Sequence, residues 1–228
     1  MTESTLLLAI DTCGPTGTVA LGRLNGLSVE ILAQIELEGR SYSSTLVAAI
    51  GELLAQCNVT LCEVSAIVAV SGPGSFTGVR VGLAAIKGLA EPSQIPVVAV
   101  SRLEVLAAKS GAPSAALDAH RHEIFLCVSQ PGEQGRELLA GALELAAIHP
   151  PPPQVALCDD AAALVLGAIW PASELIRTEP PTAADALELC ASRVAAGEFA
   201  DLAQLDGHYL RRSDAEIFGE PAAAAHRP

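Results

Sequence analysis

Two short stretches hold the residues whose types and spacing suit chemistry. Asp11-Thr12 stands directly after the apolar run Leu6 to Ile10 and directly before Gly14-Pro15-Thr16-Gly17. A carboxylate placed there can hold a metal-bound phosphate while the N–H groups of the turn face the phosphate oxygens. The same residue can equally cap a tight turn, a common use of Asp at strand ends. The second stretch runs from Val70 to Gly82, with Gly72, Gly74 and Gly78 around Ser75 and Thr77. Its glycines allow positive φ and close approach of a backbone or ligand. Thr77 is placed to cap the helix that follows, so the first free N–H groups point at the loop. Strand, glycine loop and helix N-terminus together can receive an anion, and can also simply turn the chain. No Lys-Ser or Lys-Thr follows Gly78, so this is not a Walker A loop. The third glycine also comes one residue too late for a dinucleotide fingerprint.

Other chemical equipment is thin. His120-Arg121-His122-Glu123 has the look of a ligand cluster, but no third histidine lies near it, since His149, His208 and His226 are dispersed. A metal site needs more ligands than that, and none is expected. The sequence has no Gly-x-Ser-x-Gly elbow, no His-Glu-x-x-His and no paired-carboxylate motif. The six cysteines (13, 57, 62, 127, 158 and 190) form no Cys-x-x-Cys pair and read as reduced core thiols.

The elements that must position these residues follow from the apolar pattern. Strands are expected at Leu6–Ile10, Thr18–Gly22 and about 28–37, with Asn25-Gly26 as a hairpin signal between the last two. A helix follows from Ser43 to Cys57, with Ser43 and Ser44 as candidate caps. A strand to Val70, the glycine loop, a helix from Thr77 to Ala90 and a strand at Val97–Val100 complete the order β-β-β-α-β-α-β. From Ser101 a second half begins, with a helix to about Ser110 and strands at Ser114–Ala119, Glu123–Ser129 and Val155–Cys158. A turn at Pro131-Gly132-Glu133 and helices from Asp160 to about Ile169 and from about Ala183 to Ala196 are expected as well. The expected lobes are 1–101 and 102–220, the second reduced and its last helical segment free to pack back on the first. Residues 221–228 read as a loose tail.

Acidic residues number 26 against 13 basic, a formal net charge of −13. That balance argues against a self-sufficient nucleic-acid binder. The N-terminus lacks a basic region, Leu6–Ile10 is too short for a signal segment, and nothing reaches membrane-span length. A cytoplasmic protein is expected.

Ala9-Ile10-Asp11-Thr12, Thr18-Val19-Ala20-Leu21 and the stretch Ser71 to Lys87 resemble the TsaB (YeaZ) family of tRNA threonylcarbamoyladenosine biosynthesis proteins. Asp118-Ala119 with Glu123, and Tyr209 to Glu216, match later signatures of that family in order, so the resemblance covers about residues 6 to 218. It implies an α/β, actin/hexokinase-like (ASKHA, RNase H-like) fold of two lobes. It also implies a non-catalytic role beside the paralogue TsaD, which carries the metal and transfers threonylcarbamoyl to adenosine 37 of ANN-decoding tRNAs, with TsaE as the ATPase. ATP or ADP and metal would belong to the partner complex, tRNA would be met only through it, and the chain alone would form homodimers. Two departures stand out. Arg40 to Val47 contains none of the metal histidines of TsaD-like enzymes, and Asp118-Ala119-His120 replaces the family's Asp-Ala-Arg. The old peptidase label of the superfamily has no residues behind it here.

The expected partner surface is the pair of N-lobe helices, anchored by Leu46, Ile50, Leu53, Val79, Gly82, Leu83 and Ile86. Interior glycines cost roughly 1 kcal/mol each relative to Ala. Gly82 and Gly88 therefore call for a close neighbour, either the chain's own sheet or a partner helix. Gly82→Arg would then block the partner and leave the fold intact. Asp11, Thr12, Gly72, Gly74, Ser75, Thr77 and Gly78 are read as a vestigial phosphate loop. The alternative is an ATP-dependent enzyme that uses those same residues.

Overall fold

The computed structural model describes residues 5–39, 41–129 and 135–211. The turn expected at 131–133, the tail, and the end of the last family signature lie outside the described residues. Three antiparallel strands open the chain: β1 (Thr5–Asp11), β2 (Thr16–Asn25) and β3 (Ser28–Glu38). Asn25 pairs with Ser28, so Gly26 and Leu27 make the turn and Gly26 takes φ +67°, a conformation glycine adopts without cost. Helix α1 (Tyr42–Gln56), β4 (Val64–Val70), α2 (Phe76–Ser93) and β5 (Val97–Val100) follow. The strands form one mixed sheet in the order β3-β2-β1-β4-β5, with β4 and β5 parallel to β1. β1 and β4 are buried along nearly their whole length. Central strands covered on both faces must read as continuous apolar runs, and Leu-Leu-Leu-Ala-Ile and Ala-Ile-Val-Ala-Val do.

The second half repeats this plan. Helix α3 (Arg102–Ser110) leads into β6 (Ser114–Asp118), β7 (Ile124–Val128) and β8 (Arg136–Ala140). Then come α4 (Ala142–Ala147), β9 (Gln154–Leu157), α5 (Asp160–Ile169), β10 (Glu174–Arg177) and α6 (Ala183–Ala196). The second sheet runs β10-β9-β6-β7-β8, the same order as the first with equivalent strands in equivalent places. The second lobe is therefore not reduced in strand number; its strands are shorter, at four or five residues. β8, α4 and β10 escape sequence reading for that reason. Arg-Glu-Leu-Leu-Ala and Glu-Leu-Ile-Arg are too short to show a period, and only the ladders to β7 and β9 make them strands.

The two lobes exchange their last helices. α3 leaves the first sheet and packs on β6, β7 and β9, while α6 returns to lie across all five strands of the first sheet. Ala183, Ala186, Leu187, Cys190 and Val194 of α6 belong to the first lobe's core. α1 and α2 cover the same sheet's other face. Among the described residues no helix is long and apolar enough to cross a membrane.

Two helix starts differ from expectation. α2 is capped by Ser75, whose Oγ accepts the Gly78 N–H at 3.2 Å, so Thr77 lies inside the first turn and caps nothing. α1 begins at Tyr42 after Ser41, which places Ser43 and Ser44 within the helix. Tyr42 is an apolar anchor there, buried with its hydroxyl donating to the Gly14 carbonyl at 2.8 Å.

Candidate functional site

The end of β1, the loop 71–75 and the N-terminus of α2 meet as the sequence suggested, but they meet one another. Asp11 is 1% exposed. Its Oδ1 accepts the Cys13 N–H at 2.8 Å and its Oδ2 faces Arg102 Nε at 3.2 Å. Arg102 is the first residue of α3 and is 6% exposed, and its N–H donates to the Gly72 carbonyl at 2.6 Å. Burial works against the guanidinium charge, but the charge and hydrogen bond of Asp11 together with the neighbouring Cys13 and Cys158 raise the Arg102 pKa. The same surroundings push up two neighbours. Burial, then the Asp11 charge, raises the Cys13 thiol well above its ordinary value and Tyr42 to about 12. Neither is primed for proton transfer near neutral pH.

The glycines of the loop face protein. A Cβ on Gly74 would stand 2.2 Å from the Cys13 carbonyl oxygen, and one on Gly78 would stand 2.0 Å from that of Thr12. Gly72, at φ +115°, has the His208 carbonyl oxygen 3.1 Å from its Cβ position. Ser75 N–H donates to the Cys13 carbonyl at 2.8 Å, and the Thr12 hydroxyl donates to the Gly78 carbonyl at 2.7 Å. Close approach is what these glycines provide, and the approaching group is the chain's own backbone. The residues of this loop do not fit a nucleotide as they stand, because the carboxylate is paired and the loop is packed on the β1 turn.

Sequence reading missed Arg102 and the strap that follows α6. The only signal for Arg102 is a cation after the Val97–Val100 strand, which sequence spacing cannot link to Asp11, ninety-one residues earlier. In the strap, His208 N–H donates to the Ser71 carbonyl at 2.8 Å, and its ring meets Glu137 of β8 at 2.7 Å. The hydrogen bond that the His208 ring donates to the Glu137 carboxylate raises the His208 pKa. Arg211 pairs with Glu123. His120, Arg121 and His122 form a hairpin tip with φ of +61°, +58° and +64°, and His120 Nδ1 lies 3.0 Å from Asp118. They are not on a regular strand, so the i, i+2 alignment of two ligands does not arise. Among the described residues no three His, Cys, Asp or Glu side chains are grouped to hold a metal.

The expected partner anchors are turned inward. Leu46, Ile50, Leu53, Val79, Leu83 and Ile86 are between 0% and 6% exposed and belong to the first lobe's core. Gly82 is buried too, and a Cβ on it would meet Thr12 Oγ1 at 2.3 Å. Its close neighbour is thus the chain's own β1 turn, and Gly82→Arg would wreck the packing rather than spare the fold. The outward face of the helix pair carries Val47, Ala48, Gly51 and Ala55 on α1, with Ala84 and Gly88 on α2. Val47 is 62% exposed, and added Cβ atoms on Gly51 and Gly88 would meet nothing within 4 Å.

A family model described as "TsaD: tRNA N6-adenosine threonylcarbamoyltransferase" matches residues 29–163. The tRNA threonylcarbamoyladenosine biosynthesis protein TsaB of Bacillus subtilis is 37% identical over 123 residues, which cover 52% of each chain. An uncharacterized protein of Mycobacterium tuberculosis is 30% identical over 215 residues, covering 92% of this chain and 93% of that one. A crystal structure of an uncharacterized Pseudomonas aeruginosa protein, described as similar to peptidase YEAZ, has a TM-score of 0.71 at 30% identity. That alignment covers 91% of this chain and 100% of the other. The chain spans about half the length of the curated TsaB relatives it matches. With a family model over more than half of the sequence, TsaB among the relatives and a YeaZ-like structure along nearly its full length, the chain belongs to the TsaB (YeaZ) family.

Proposed function

We propose that this chain is a non-catalytic partner subunit in threonylcarbamoyladenosine modification of ANN-decoding tRNA, docking a TsaD-type catalytic subunit through the outward face of α1 and α2. The observation that carries this reading is the shape of that face. Val47, Ala48, Gly51, Ala55, Ala84 and Gly88 line its middle with small side chains, with open space above both glycines. Small residues let two helix pairs approach closely, and the buried neighbours beneath keep the surface rigid. The names of the TsaB relatives support the pathway, and the occupied Asp11 carboxylate supports a chain that leaves the chemistry to its partner. In this reading metal and ATP or ADP belong to the TsaD- and TsaE-type subunits. The tRNA, carrying a phosphate backbone, is met through the complex and not by a chain of net charge −13. The same face serves a homodimer when the chain is alone.

Gly51→Arg and Gly88→Arg test the reading in place of the unsuitable Gly82 variant. Both should keep the circular dichroism spectrum and the melting transition of the parent. Both should lose co-purification with the TsaD-type subunit, and reconstituted tRNA modification should fall with it. Full co-purification of the folded variants would refute docking through this face. The competing reading, an ATP-dependent enzyme, requires Mg²⁺-nucleotide turnover by the isolated chain that Asp11→Asn removes.

A further inference from the structure

The exposed start of α2 carries a cluster that the small-residue face does not explain. Arg80 lies over the Phe76 ring, one turn earlier, with its guanidinium carbon 3.8 Å from the ring centroid. Tyr209 of the strap completes the group, its ring 5.1 Å from Phe76 at 47° and its centroid 6.0 Å from the Arg80 guanidinium carbon. Phe76 is 41% exposed and Tyr209 36%. Aromatic side chains and arginine in one exposed patch have the composition of an interface hot spot.

Charge makes the patch specific. Arg23, Arg102, Arg177, Arg193 and Arg211 each have a carboxylate within ion-pair distance. Arg80 has none among the described residues, although acidic residues outnumber basic ones 26 to 13. Lys87, seven positions on along the same side of α2, has none there either. A guanidinium stacked on a ring keeps its in-plane N–H groups directed outward, in a fork that matches a carboxylate. Stacking also fixes the side chain in advance, so less rotamer entropy is lost when a carboxylate arrives.

Tyr209 is not free to drift from this patch. His208 N–H is tied to Ser71 in the first lobe, Leu210 packs into the second lobe's core, and Arg211 pairs with Glu123. Both lobes therefore contribute to one surface.

We infer that Phe76, Arg80 and Tyr209 form a composite docking point for an acidic protein surface, one that sets a carboxylate against Arg80 and an apolar side chain against the two rings. The inference rests on the docking reading above and adds to it the chemistry that the partner must present. Two cations are too few to hold a phosphate backbone against the net charge of the chain. An isologous contact with a second copy brings a second Arg80 and Lys87 to the same seam, whereas an acidic partner neutralises them.

The test is calorimetric titration of the full chain with the TsaD-type subunit at low and high KCl. Arg80→Ala should weaken binding by about tenfold or more and flatten the dependence of affinity on salt. Arg80→Glu should weaken it further, Arg80→Lys should be intermediate, and Phe76→Ala should weaken binding without changing the salt dependence. Both positions of change, Phe76 and Arg80, are exposed, and circular dichroism confirms folding. Arg80→Ala should not weaken self-association, read by sedimentation. If wild-type chain fails to bind the subunit, the docking reading falls and takes this inference with it. If wild type binds and Arg80→Ala binds equally well with the same salt dependence, this inference alone is overturned. It is also overturned if Arg80→Ala dissociates a homodimer while sparing the subunit, or if the chain alone binds tRNA through Arg80.

Discussion

The Asp11–Arg102 pair shows how one residue can change what a site does. At 1% and 6% exposure the two charges are held out of water, 3.2 Å apart. Removing one partner of such a pair strands the other charge at a cost of about 3–5 kcal/mol. Arg102→Met should therefore lower the unfolding free energy by that order, measured by urea denaturation. The double variant Asp11→Asn, Arg102→Met should recover much of the loss, since no buried charge is left unpaired. If the single variant is as stable as the parent, the carboxylate is not held by the pair.

At the scale of the element, α2 has glycines with opposite duties. Gly82 is needed because Thr12 Oγ1 stands where its Cβ would be, whereas Gly88 faces open space. Gly82→Ala gains roughly 1 kcal/mol in helix propensity but overpacks a rigid turn at about 1–3 kcal/mol, so a net loss is expected. Adding Thr12→Ala removes the obstructing atom and should restore part of it. Gly88→Ala should raise stability by roughly 0.5–1 kcal/mol. Thermal denaturation of the four chains checks the signs, and equal effects at both glycines would refute the distinction. Helical periodicity placed the apolar stripe Val79, Leu83 and Ile86 correctly on one face. It could not say that this face looks inward, because a core stripe and a partner stripe have the same period.

Across the whole molecule, the exchange of α3 and α6 makes each lobe depend on the other, and the strap adds a contact that responds to pH. Glu137 raises the His208 pKa above its ordinary value of 6.5. The stabilisation is then fully present below pH 6.5 and is lost as pH rises through the folded-state value. The denaturation midpoint should fall between pH 6 and pH 8 by more in the parent than in His208→Gln, which cannot titrate. Identical pH profiles would show that the pair does not hold the strap.

The amino-acid sequence by itself determined the first lobe's elements, the glycine loop and the family. Continuous apolar runs, a hairpin turn and a thirteen-residue motif are local signals, written in residues that lie side by side. Only the tertiary structure decided what those residues do. Whether Asp11 holds a phosphate or an arginine depends on a side chain ninety-one positions away. Whether Gly82 admits a partner depends on Thr12, and whether Leu46 or Val47 faces solvent depends on which side of α1 the sheet lies. Long-range packing sets each of these, and no local period carries that information.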